Sequence, residues 1–117
     1  MKEENVILEK SYAFALQIMA LAKDIREKRE YDLASQLWRA GTSIGANVEE
    51  SQAAQSRADF RSKMAIAAKE AREVHYWLRL TLDGKVLPAE RLEPLIDEIE
   101  NIKRILTSIV KSAKERD

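Results

Sequence analysis

Cysteine is absent from this 117-residue chain, and glycine (three), proline (two) and histidine (one) are scarce. Without cysteine there is no disulfide, no thiol nucleophile and no cysteine-ligated zinc, a usage that fits a reducing compartment. So few helix breakers imply long elements joined by short turns. Aromatics number only seven, while Ala, Leu, Ile, Lys, Arg and Glu dominate, which favours helices over strands. No apolar run approaches the roughly 18 residues that span a bilayer. The charged start, MKEENVILEK, lacks the apolar stretch of a signal peptide. A cytoplasmic location with no membrane attachment is the expectation. Net charge is missing too: 20 Lys and Arg balance 20 Asp and Glu, unlike a globally basic nucleic-acid binder. The balance is uneven, since residues 56–88 carry +3, residues 31–55 carry −2 and residues 89–117 carry −1. Any electrostatic partner surface must draw on that third segment.

What is present is helical periodicity. The spacing predicts an all-α fold of one domain, 1–117, with helices over about 6–29, 32–54, 57–83 and 89–115. In the first, Leu8, Tyr12, Ala15, Met19 and Ala22 follow the 4-3-4-3 spacing of a packed seam, with Phe14, Ile18, Leu21 and Ile25 beside it. The second has one row of Leu33, Leu37, Ala40, Ile44, Val48 and Ser51, and another of Ala34, Trp38, Gly41, Gly45 and Val48. Two glycines inside a helix each cost about 1 kcal/mol relative to Ala. Either close approach of a neighbouring helix offsets that cost, or the helix kinks near Gly41 to Gly45. The third opens on Ser56-Arg57-Ala58-Asp59, close to a capping box, and carries Phe60, Met64, Ala67, Ala71, Val74, Leu78 and Thr81. It stops at Asp83-Gly84, where Gly is the residue suited to a left-handed conformation. The fourth repeats Leu92, Leu95, Ile99, Ile102, Leu106, Ile109 and Ala113, with Pro94 in its first turns. Its early acids and late bases (Lys103, Arg104, Lys111, Lys114, Arg116) match the helix dipole.

Four helices with short connections form an up-down antiparallel four-helix bundle. Apolar side chains beyond one seam (Phe14, Ile18, Leu21, Ile25; Trp38; Ile66, Trp77, Leu80) exceed what a soluble monomer usually exposes, so a homo-oligomer is expected.

Candidate chemistry is sparse. Bundle enzymes bind paired metals through Glu and Glu-x-x-His motifs, but Arg72 stands three residues before the lone His75. No metal, cofactor, catalytic residue or small-molecule substrate is assigned, and the chain is read as a non-enzyme. Glu70 and Glu73 share a row, and with Asn47 and Glu50 on the preceding helix they suggest an interhelical polar network. One surface row stands out: Arg61, Ala65, Ala68, Arg72, His75 and Arg79, extended by Arg57. It serves as a solvated flank, as an ion-pairing edge between subunits, or, repeated around a ring, as a multivalent surface for phosphate backbones.

The stretch Gln36-Leu37-Trp38-Arg39-Ala40-Gly41-Thr42-Ser43-Ile44-Gly45-Ala46-Asn47-Val48-Glu49-Glu50 resembles a signature of bacterial four-helix bundle proteins. These were first noticed as reading frames in intervening sequences of large-subunit ribosomal RNA. The likeness continues through Ser56 to Phe60, Lys69-Glu70-Ala71, Glu73 and Tyr76-Trp77-Leu78, spanning about 33–80. Many relatives have Pro at Gly45 and Ala-Glu-Gly at Glu49-Glu50-Ser51. The resemblance implies a ring-like homopentamer and carries over no catalytic residue. Related bundles include the basic accessory pentamer of diversity-generating retroelements, which engages a reverse transcriptase and RNA. The implied role is a non-enzymatic interaction module with RNA or a nucleic-acid-handling protein as partner. The alternative is a structural or protein-binding adaptor that touches no nucleic acid.

Overall fold

In the computed structural model, which describes residues 2–115, four α-helices follow one another: α1 (Lys2–Glu27), α2 (Tyr31–Ser51), α3 (Arg57–Asp83) and α4 (Ala89–Glu115). Arg116 of the late basic run lies outside the described residues. Helices of 26 and 27 residues are about 40 Å long at 1.5 Å per residue, and the molecule measures 46 × 20 × 19 Å. The helices α1, α3 and α4 therefore run nearly its full length, and the 21-residue α2 about two thirds of it. Close approaches give the direction: Ile18 faces Gly41 and Ser11 faces Gly45, so α1 and α2 are antiparallel. Lys10 meets Glu98 and Asp24 meets Arg91, which sets α1 antiparallel to α4. Helices adjacent in sequence pack together, and the α1–α4 seam, the least extensive, closes the bundle.

The core is where the periodicity of α2, α3 and α4 puts it. Leu37, Ala40, Ile44 and Val48, then Met64, Ala67, Ala71, Val74 and Leu78, and all seven members of the α4 row are buried. On α1 the two rows exchange roles. Ile7, Phe14, Ile18, Leu21 and Ile25 form the core, whereas Tyr12 is 65% exposed and Leu8, Ala15 and Met19 are half-buried. The rows lie one residue step, about 100°, apart. The inner one has the larger aliphatic side chains and no phenol that would need a hydrogen-bond partner. Phe14, Ile18, Leu21 and Ile25 are thus no surplus.

Both glycines of α2 sit in an unbroken helix. A Cβ on Gly41 would lie 2.5 Å from Ile18 Cγ2, and one on Gly45 would lie 3.4 Å from the Ser11 carbonyl oxygen. Close packing, with no kink, is the reason for Gly41. The buried hydroxyls of Ser11, Ser51 and Thr81 each donate to a carbonyl of their own helix, at 3.3, 2.6 and 2.7 Å, so burial leaves none of them unsatisfied.

The ends of α1 and α2 depart from the expected positions for local reasons. The first helix begins four residues before the expected Val6 and stops at Glu27, because Arg29 adopts φ 65°. The Glu30 N–H then reaches back to the Ile25 carbonyl at 3.4 Å, a Schellman closure. The third helix closes the same way, with Val86 N–H on Thr81 O at 3.1 Å. Its left-handed residue is Lys85, φ 58°, and not Gly84, which stays right-handed at φ −77° as the C-cap of a helix that ends at Asp83. The second helix ends at Ser51, three residues short of the expected end. There Gln52, Ala53 and Ala54 donate to carbonyls three residues back, tightening the last turn. Extended Ser56 then caps α3, its hydroxyl accepting the Asp59 N–H at 3.0 Å. Asp59 returns a bond from Gln55 N–H at 3.2 Å, one residue earlier than in a standard capping box. The fourth helix starts at Ala89 and carries Pro94 inside it.

Candidate functional site

The cation row of α3 takes its direction from the core. With Met64, Ala71, Val74 and Leu78 facing inward, Arg72, His75 and Arg79 fall on the flank turned toward α4. Arg72 and Arg79 are exposed, Arg61 is half-buried and Arg57 is exposed at the start of the helix. Ala68, in mid-row, is buried. This divides the row into an Arg57–Arg61 end and an Arg72–His75–Arg79 end. The second end meets cations that belong to another segment. Lys103, Arg104 and Lys111 of α4 line one shallow depression with His75, Glu100 and Thr107. The sequence names each of these bases; what it hides is the axial stagger that sets residue 75 beside residue 103.

His75 is the centre of this face. The Lys103 Nζ lies 2.9 Å from His75 Nδ1, and Glu100 Oε1 lies 3.4 Å from Nε2. Partial burial holds the imidazole pKa below its ordinary value near 6.5; Lys103 and then Arg79 push the same way, and Glu100 opposes them. The ring is therefore neutral at pH 7.

The polar residues of α2 and α3 do not form the expected quartet. Glu70 and Glu73 both bind Arg39: Glu70 Oε2 is 3.1 Å from Nη1, and Glu73 pairs with Nη2. Trp77 Nε1 also donates to Glu73 at 3.4 Å. Asn47 donates instead to Ser43 O of its own helix at 2.9 Å, and Glu50 pairs with Lys63 at 3.7 Å. The reason is again stagger. Asn47 is eight residues, about 12 Å, beyond Arg39 along α2, too far to share its partners. Two carboxylates clasped by one guanidinium tie α2 to α3, a structural arrangement. The periodic reading missed Arg39; its position one turn before Ser43, on the polar side of α2, was the available signal.

A second kind of surface lies elsewhere. Tyr12 and Leu16 are 65% and 54% exposed on α1, Trp38 40% on α2, and Ile66, Tyr76 and Leu80 40–49% on α3. Trp38 also borders a groove between α1 and α2 with Ala22, Lys23, Arg26, Ala34 and Ser35. Trp77, expected among the surplus apolar groups, is half-buried against the core.

The fold and these two surfaces define the class: an all-α four-helix bundle whose distinguishing groups lie on its outer faces. The chain belongs to the 23S rRNA-intervening sequence protein family, whose model matches residues 3–108. Among solved structures it is similar to a protein of unknown function from the S23 ribosomal protein family of Bacteroides thetaiotaomicron. The two are 42% identical with a TM-score of 0.88, over 93% of this chain and 98% of that one. No curated protein matches it. No helix among the described residues is long and apolar enough to cross a membrane.

Proposed function

We propose that this protein is a non-enzymatic, self-associating interaction module that presents its α3–α4 face to the phosphate backbone of RNA. The observation that carries this reading is the convergence of His75 and Arg79 of α3 with Lys103, Arg104 and Lys111 of α4 on one flank, with Arg72 a turn before His75 on the same row. That flank is cationic although the whole chain is neutral. Local charge density, more than net charge, governs the counterion release that drives phosphate binding. Assembly through the exposed aromatic and aliphatic groups, into a ring of five as the family resemblance suggests, would repeat the face and multiply weak contacts.

Binding of a fluorescent single-stranded RNA across a salt series tests this. Affinity should fall steeply with salt, and joint replacement of Arg61, Arg72 and Arg79 by Ala should weaken binding. It should also flatten the salt slope by about 0.7 per lost contact. Absence of binding at low salt, or an affinity the triple variant leaves unchanged, would overturn the RNA reading. The exposed apolar set on α1, α2 and α3 favours a second reading, a protein-binding adaptor, which would then stand in its place.

A further inference from the structure

The contact between His75 and Lys103 fixes more than position. An ammonium offers only donors, so at 2.9 Å the Nδ1 atom of His75 must be the acceptor. The ring proton then sits on Nε2, on the side of Glu100. In this arrangement the imidazole occupies a lysine that would otherwise bind an anion. The charged groups acting on the ring are Arg79 on its own helix and Glu100 and Lys103 on α4, while Arg104 and Lys111 line the same depression. The other neighbour of α3, α2, packs on the far side, against Glu70 and Glu73. Four cations and one carboxylate thus share the depression or its edge with a neutral base.

We propose that this depression is a phosphate-binding subsite that takes up one proton as it fills, the phosphate group replacing His75 as the partner of Lys103. The proposal deepens the RNA reading and rests on it for the choice of polyanion. Its chemistry is a binding equilibrium in which the proton comes from solvent and no covalent bond changes. In the empty site burial, and then the charges of Lys103 and Arg79, disfavour a positive ring, which is why it stays neutral. A phosphate between them reverses this, because its oxygens accept from the imidazolium Nδ1–H and from the Lys103 ammonium together. Arg104 and Lys111 add charge at the rim, and the Thr107 hydroxyl supplies a further donor. By linkage, affinity should rise as pH falls through the range where the filled site is protonated and the empty one is not. The limit is about tenfold per pH unit for a single proton.

The chain has one histidine, so its imidazole proton resonance in the NMR spectrum of the intact protein reports this site without assignment. Titration from pH 5 to 8 would be run in chloride, in inorganic phosphate and with single-stranded oligouridylate, at matched ionic strength. We expect the His75 midpoint to move up by about half a pH unit or more with either phosphate source. In Lys103→Met the midpoint should already be raised in chloride, and the phosphate-induced movement should shrink. His75→Gln should weaken RNA binding at pH 5 more than at pH 8 and so remove its pH dependence. Movement with inorganic phosphate while RNA fails to bind by anisotropy upholds the subsite and overturns the RNA reading. RNA binding that leaves the His75 midpoint where it is in chloride overturns the subsite and leaves the RNA reading intact. A midpoint unmoved by both probes, with no RNA bound, overturns both.

Discussion

Two glycines four residues apart in α2 behave as different residues because their neighbours differ. Gly41 has Ile18 against it, and an added methyl would fall 2.5 Å from a branched, buried side chain that cannot yield. Gly41→Ala should therefore destabilise by about 1–3 kcal/mol, since overpacking outweighs the propensity gain. At Gly45 the nearest atom is 3.4 Å away, ordinary contact. There the same change should be neutral or stabilise by up to about 1 kcal/mol. Urea midpoints at one fixed protein concentration check the opposite signs; a matched pair of losses would contradict the packing explanation of Gly41. Spacing in the sequence brings both glycines to one helix face. Only the partner helix distinguishes them.

Among the elements, termination is the least legible feature. The Asp83-Gly84 pair announces the end of α3, yet the left-handed residue is Lys85 one step on. There a lysine bears the steric cost that glycine avoids. Lys85→Gly should raise stability by about 0.5–1 kcal/mol, read as a higher urea midpoint with an unchanged slope. No gain would mean that the Schellman closure carries no backbone strain. The start of α3 was readable because Ser56 and Asp59 act through local bonds. The inner face of α1 was not, because its two apolar rows are nearly equal in spacing. Rotation about the helix axis, decided by contact with α2 and α4, chose Phe14, Ile18, Leu21 and Ile25 over Tyr12.

For the whole molecule, that rotation changes the case for self-association without removing it. Phe14 and its row leave the surplus, while Tyr12 and Leu16 join Trp38, Ile66 and Leu80 on the surface. We expect the native mass, measured by light scattering, to exceed the 13.4 kDa of one chain several-fold. Joint replacement of Trp38 and Leu80 by Asp should lower it toward that value while the helical circular dichroism persists. A wild-type mass equal to one chain would show that these groups are tolerated in a monomer. Self-association also bears on the RNA reading, since a single α3–α4 face offers few phosphate contacts and several copies offer many.

Four helices, their core rows on α2, α3 and α4, and the cation row of α3 follow from the sequence alone, because they rest on a period of 3.6 residues and on caps that act within a turn. The joining of two lysines and an arginine of α4 to the cationic face, the contact of Lys103 with His75 Nδ1, the transfer of Glu70 and Glu73 to Arg39 and the inner face of α1 are settled only by tertiary structure. These depend on the rotation and axial stagger of whole helices. Both are properties of packing between elements, and no local pattern encodes them.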